Sequence, residues 1–161
     1  MSNIFKNEKN FITINKKWIT NLKNEVKNSE KKTSRLLMHL NTKDHVQEMI
    51  IAFGKESAIP PNKSENKSES LQVIEGKMLL VIFDDEGNVY NKIVMQPISE
   101  GGNDFIYRFN KCVWHTMIAL SEIVVVHEIL EGPFIKEDGG NVPTWVPKNI
   151  SDTKKLIKSL I

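Results

Sequence analysis

Apolar residues first fall into register near the N-terminus. Trp18, Ile19, Leu22 and Val26 follow the i, i+3/i+4, i+7/i+8 spacing of one helical face. The pattern predicts a helix from Lys16 that ends around Ser29-Glu30-Lys31-Lys32. The fifteen residues before it are polar and rich in Asn and Lys, and read as a loose arm or a short strand. Beyond the helix an extended segment is expected over Ser34–Leu40, and Asp44–Gln47 leads into the apolar run Met49–Phe53. Ile59-Pro60-Pro61 cannot lie inside a helix. Residues 62–70 are polar and low in complexity, the composition of a linker. Short strands follow at regular spacing: Leu71–Ile74, Lys77–Phe83, Val89–Val94, Phe105–Phe109, Val113–Leu120 and Ile123–Leu130. Turn-forming residues separate them, including Asp84-Asp85-Glu86-Gly87-Asn88 and Ser99-Glu100-Gly101-Gly102-Asn103. Residues 152–161 read as a C-terminal helix with Leu156, Ile157 and Leu160 on one side. A helix followed by many short strands predicts a mainly β fold, a sandwich or barrel. The expected organisation is an N-terminal arm and helix over 1–35, a β-barrel over 36–150 and a C-terminal helix over 151–161.

Composition narrows this picture. A chain of 161 residues with 40% hydrophobic content holds one domain with a real core. The formal net charge is +2, unevenly spread: residues 1–35 carry a net +6 and the rest a net −4. The basic stretch reads as a solvated helix face, and nucleic acid is not an expected partner. The single cysteine, Cys112, excludes an intrachain disulfide and a cysteine-based zinc site. No apolar run approaches the roughly 20 residues that span a bilayer. The N-terminus lacks the apolar segment of a secretory signal, and a cytoplasmic location is expected.

The candidate chemistry centres on His115, on a predicted strand, and Glu69, at the start of another; closure of a barrel would bring the two together. A buried histidine beside a buried carboxylate can act as a general acid/base pair. Tyr107 and Arg108 must face opposite sides of one strand, and Trp114 must face away from His115. His127 shares a face with Val125 and Ile129 and reads as a packed residue, and His45 as a solvent-exposed one. Asp84–Gly87 lacks the later glutamate of a calcium loop and reads as a hairpin turn.

Asn62, Ser64, Glu69 and Gly76, with His115 later, keep the spacing of the first and second cupin motifs. Further pieces run along the chain: Arg35, His39, the stretch Asn41–Met49, Ile59-Pro60-Pro61, Glu75-Gly76-Lys77, Phe83–Gly87, Trp114-His115-Thr116, Glu131-Gly132-Pro133-Phe134 and Trp145-Val146-Pro147. Their order resembles the cupin-fold metalloproteins of the WbuC type, found with surface-polysaccharide (O-antigen) biosynthesis genes. The resemblance covers about residues 17–150. It implies a cupin jelly-roll barrel, a homodimer, and a sugar or sugar-nucleotide ligand held near Arg35, His39, Asn62, Ser64 and Tyr107. It also implies one divalent metal at positions 62, 64, 69 and 115. Two of those positions depart from the family, because Asn62 and Ser64 stand where histidines would, and neutral oxygens hold a first-row metal far less tightly than imidazole.

Three outcomes stay open for Glu69 and His115. The pocket can work without metal, hold a metal weakly with His39 or His127 completing the shell, or be vestigial. No cofactor, or a weakly bound divalent metal, is therefore expected. The functional alternatives are an isomerase- or epimerase-like enzyme of polysaccharide assembly, with Glu69 and His115 catalytic, and a non-catalytic binding or assembly module.

Overall fold

The computed structural model describes residues 3–134 and 142–161. Helix α1 (Lys16–Asn28) begins where Asn15 places its side-chain oxygen 3.1 Å from the Lys17 N–H and 3.4 Å from the Trp18 N–H, which caps two otherwise orphaned donors. Its face of Ile19, Leu22 and Val26 is buried, as the spacing predicts. Helix α2 (Ile150–Ser159) is capped in the same way by Asn149, which accepts from the Asp152 N–H at 2.8 Å. It buries Ile157, and Leu160 beyond its end.

The strands are β1 (Asn3–Lys6), β2 (Thr33–Leu37), β3 (Val46–Gly54), β4 (Glu69–Glu75), β5 (Met78–Phe83), β6 (Val89–Met95), β7 (Ile106–Phe109), β8 (Trp114–Ala119) and β9 (Ile123–Glu131). They form a six-stranded sheet in the order β1-β2-β3-β9-β4-β7 and a three-stranded sheet in the order β6-β5-β8. All pairings are antiparallel except that of β1 with β2. The N-terminal arm thus pairs within its own chain. Two facing sheets built from such short strands make a jelly roll.

Strand alternation sorts the side chains into three layers. Met49, Ile51, Phe53, Leu71, Val73, Met78, Leu80, Met117, Ala119, Val124 and Val126 fill the barrel between the sheets. Leu36, Ile50, Ala52 and Val125 project from the other face of the large sheet and bury the apolar stripe of α1. Leu79, Val81, Phe83 and Ile118 cover the back of the small sheet under Ile157, Leu160 and Trp145. Trp114 belongs to this outer layer, as its alternation with His115 requires, and its Nε1–H donates to Asp85 at 3.0 Å. Gly76 turns β4 into β5 with φ +81, and a Cβ there would stand 2.7 Å from the Ile123 carbonyl oxygen, so both conformation and space demand glycine.

Residues 62–70 are no linker. Ser64, Lys67 and Glu69 are buried, Asn62 forms a β-bridge with His115, and the Lys67 ammonium donates to the Pro133 carbonyl at 2.5 Å. Among the described residues no helix is long and apolar enough to cross a membrane.

Candidate functional site

Glu69 opens β4 in the large sheet, and His115 lies on β8 in the small one. Both face into the barrel, because Leu71 and Met117, two residues on in each strand, belong to its core. Closure of the sheets brings His115 Nε2 to 3.3 Å from Glu69 Oε1. The Tyr107 hydroxyl donates to the same oxygen at 2.5 Å, and the Cys112 thiol reaches Oε2 at 3.5 Å. His115 Nδ1 is 2.9 Å from the Val113 carbonyl. A carbonyl only accepts, so Nδ1 carries hydrogen and Nε2 is the nitrogen that exchanges a proton. The Phe109 ring, centred 5.0 Å from the imidazole, closes one side. The pair is deeply placed: Glu69 is 5% exposed and His115 3%.

The environment sets the charges. Burial opposes ionisation of Glu69, but hydrogen bonding and charge from His115, with bonds from Tyr107 and Cys112, hold the carboxyl below its ordinary value. Burial likewise opposes the imidazolium, yet Glu69 outweighs it and His115 is held above its ordinary value. The favoured state is an ion pair of carboxylate and imidazolium. Burial and the Glu69 charge push the Tyr107 phenol well above its usual range and the Cys112 thiol up to about 12, so both stay protonated at neutral pH.

Two further polar side chains face the same space. On β2, Ser34 and Leu36 turn toward α1, which turns Arg35 inward. On β9, Val124 and Val126 are barrel residues, and the same alternation turns Glu128 inward, paired across the strands with Met49 and Leu71. Burial and the Glu69 charge raise the Glu128 carboxyl to about 7, while Arg35 and His115 pull it back. Neither Glu128 nor Cys112 stood among the residues singled out for the site. Glu128 had a legible signal: the period-two reading that places His127 on the outer face places Glu128 on the inner one.

The remaining candidates divide. The Asn62 side chain donates to the Pro60 carbonyl at 3.1 Å, while its backbone exchanges hydrogen bonds with His115 at 3.0 and 3.1 Å. Ser64 is buried nearby, its backbone hydrogen-bonded to the Cys112 sulfur. His39 Nδ1 stands 3.0 Å from both the N–H and the carbonyl of Glu48, which ties it to the edge of β3. His127 projects from the opposite face of β9 and pairs with Glu48 at 2.7 Å, so it cannot complete a shell around Glu69 and His115. His45 is exposed.

The donor set does not fit the transition metal that the cupin motifs imply. It offers one imidazole and one carboxylate that already satisfy each other, and an Asn amide turned to a backbone carbonyl. Among the described residues no three His, Cys, Asp or Glu side chains converge on a common point.

Solved structures share this architecture at low identity. CapF of Staphylococcus aureus, a capsular polysaccharide assembling protein, aligns with 69% of this chain and 31% of its own at 11% identity and a TM-score of 0.54. CapF with the inhibitor 3-isopropenyl-tropolone aligns with 65% of this chain and 29% of its own at 12% identity and a TM-score of 0.51. The cupin domain of Schizosaccharomyces pombe Cnp3 aligns with 62% of this chain and 61% of its own at 8% identity and a TM-score of 0.45. The chain therefore spans less than two thirds of each of these solved chains. Such likeness concerns the fold alone, a jelly roll. A comparison with curated proteins finds no match. The model of a domain of unknown function, DUF6016, matches residues 14–95, a span that holds Arg35 and Glu69 but stops short of Tyr107, His115 and Glu128. That match extends over half of the sequence, and the chain belongs to this family.

Proposed function

We propose that this cupin binds a sugar or sugar nucleotide inside the barrel and exchanges a proton with it through His115, in the assembly of a surface polysaccharide. The carrying observation is the set Glu69–His115–Tyr107, in which one buried carboxylate oxygen holds both the exchangeable His115 nitrogen and the Tyr107 phenol. Its chemistry is that of an isomerase or epimerase: His115 gives or takes a proton at a carbon next to a carbonyl, Glu69 steadies the imidazolium, and Tyr107 supplies a neutral donor. Oxygenase chemistry requires a redox metal with open positions, and the donor set does not suit one. The CapF structures and the resemblance to WbuC-type cupins support the polysaccharide context.

The burial of Glu69 and His115 under Phe109 favours a second reading, a binding module whose metal site is vestigial. One experiment separates the two. The protein is incubated in deuterium oxide with dTDP-linked keto-sugars, whose ring carbonyl acidifies the neighbouring C–H, with UDP-glucose and UDP-N-acetylglucosamine as controls for binding alone, and carbon-bound deuterium is followed by proton NMR. Wild type is expected to exchange one ring hydrogen of at least one keto-sugar, and His115→Ala to exchange none. Binding without any exchange establishes the second reading. Exchange that persists in His115→Ala refutes the assigned role.

A further inference from the structure

Arg35 and Glu128 are surplus to the Glu69–His115–Tyr107 set, and their surroundings say what they hold. Both project into the barrel from the large sheet, and both keep partial solvent contact there. Arg35 is paired with Ile51, Ile51 with Val126, and Glu128 lies two residues beyond Val126. Two strand spacings across and two residues along put their Cα atoms about 12 Å apart. Arg35's field reaches Glu128, yet no ion pair joins them. Among the described residues neither side chain has a hydrogen-bond partner, and Arg35 Nε is buried with none. A buried donor without a partner is costly, because it has lost its water and gained nothing in return.

Charge selects the chemistry of the missing partner. An anion between them would face Glu128 and the Glu69 carboxylate. A cation would face Arg35 and the His115 imidazolium. An uncharged group that both donates and accepts meets neither objection, and hydroxyls do both while guanidinium only donates and carboxylate only accepts. Arg35 and Glu128 stand two strands apart and make no ion pair, and two adjacent hydroxyls would satisfy both at once. We infer that Arg35 and Glu128 form a subsite for a vicinal diol of a sugar ring, with Arg35 donating to one hydroxyl oxygen and Glu128 accepting from the next. This deepens the proposed function and rests on it. The diol is held on the large sheet, which leaves the opposite edge of the ring toward His115 on the small one.

The chain has two arginines, Arg35 and Arg108, so the Nε–H region of a ¹⁵N spectrum holds two signals, and Arg108→Lys on the outer face identifies them. The probes are the methyl α-glycosides of glucose, galactose and mannose, with the 2-deoxy and 3-deoxy glucosides as controls. A saturable shift of the Arg35 Nε–H signal is expected with at least one glycoside and is lost with the deoxy analogue that lacks one of the gripped hydroxyls. Glu128→Gln and Arg35→Lys should each weaken that glycoside about tenfold or more. The wild-type Arg35 signal decides the matter even if a variant misfolds. If a glycoside moves the Tyr107 or His115 ring signals while Arg35 stays still and Glu128→Gln changes affinity less than twofold, the subsite is refuted, its donor is satisfied by water alone, and the barrel reading stands. If no glycoside moves any of these signals, the barrel reading itself fails and the subsite with it.

Discussion

Glu128→Gln should make the protein more stable, and increasingly so as pH rises. The carboxyl sits between Met49 and Leu71 on the barrel wall, and its value is raised from 4.5 to about 7. Between those limits the folded protein holds a proton that the unfolded chain has released. Stability therefore falls as pH rises through that window. The full displacement corresponds to about 3 kcal/mol, most of which develops between pH 5 and pH 8. Glutamine keeps the size and removes the charge, so the variant escapes this loss. His115, also held above its ordinary value, adds stability that fades as pH rises through its folded value, but this remains in both proteins and largely cancels. The assay is urea unfolding at half-unit steps from pH 5 to 8.5, followed by fluorescence of the three tryptophans. Equal slopes against urea would show that the denatured states match. The stability gap should open by about 2–3 kcal/mol over the range. A gap constant to within about 0.5 kcal/mol, or one that narrows at high pH, would refute the enclosed-carboxyl argument.

Other consequences are quicker to test. His127→Ala, which removes an outer-face pair whose side chains are 25% and 35% exposed, should cost at most about 1 kcal/mol in urea unfolding and leave glycoside affinity unchanged; lost affinity would mean that the outer face contributes to the site. Elemental analysis of tag-free protein purified without chelators should find transition metal far below one per chain, and near-stoichiometric metal would overturn the mismatch argued from Asn62 and Ser64. Cys112, with its thiol raised to about 12, should react with iodoacetamide at pH 7.5 far more slowly in the folded protein than in urea. Equal rates would show that the barrel does not enclose it.

What was legible in the sequence was local. The 3.6-residue period of Trp18–Val26 and the alternation in Val124–Leu130 decide which side chains point where, and the structure follows them. The order of the strands was not legible, because β9 lies between β3 and β4 and no local pattern carries a pairing of that range. The partner of β1 was hidden for the same reason. Residues 62–70 misled through composition: they are polar because they satisfy one another and the chain around them, as the Lys67 carbonyl does for the Cys112 N–H at 2.9 Å. Glu69 and His115 were readable as inward-facing residues, but the closure by Tyr107, Phe109 and Cys112 depends on how β7 and its following loop cross the barrel. Glu128 escaped notice because the apolar run before it makes β9 look like pure packing.

The barrel is divided along its length. At one end the inward residues are Phe53, Val73, Val124, Met78 and Ala119, all buried and apolar. Toward the other end the same strands present Glu69, Glu128 and His115, joined by Arg35 and Tyr107 from their neighbours. Burying these groups is expensive, and well-packed apolar residues of similar volume would often serve stability as well or better. Their confinement to one end is what a binding pocket set on a rigid base requires. The two ends should therefore respond oppositely to substitution. Val124→Ala, at a fully buried position, should cost about 2 kcal/mol in unfolding and leave glycoside affinity within twofold. Glu128→Gln should raise stability above pH 7 and weaken the glycoside. Measured together by urea unfolding and NMR titration, the two variants must cross. If both lose stability and affinity in proportion, the polar residues are part of one undivided core, and the pocket assigned to that end of the barrel does not exist.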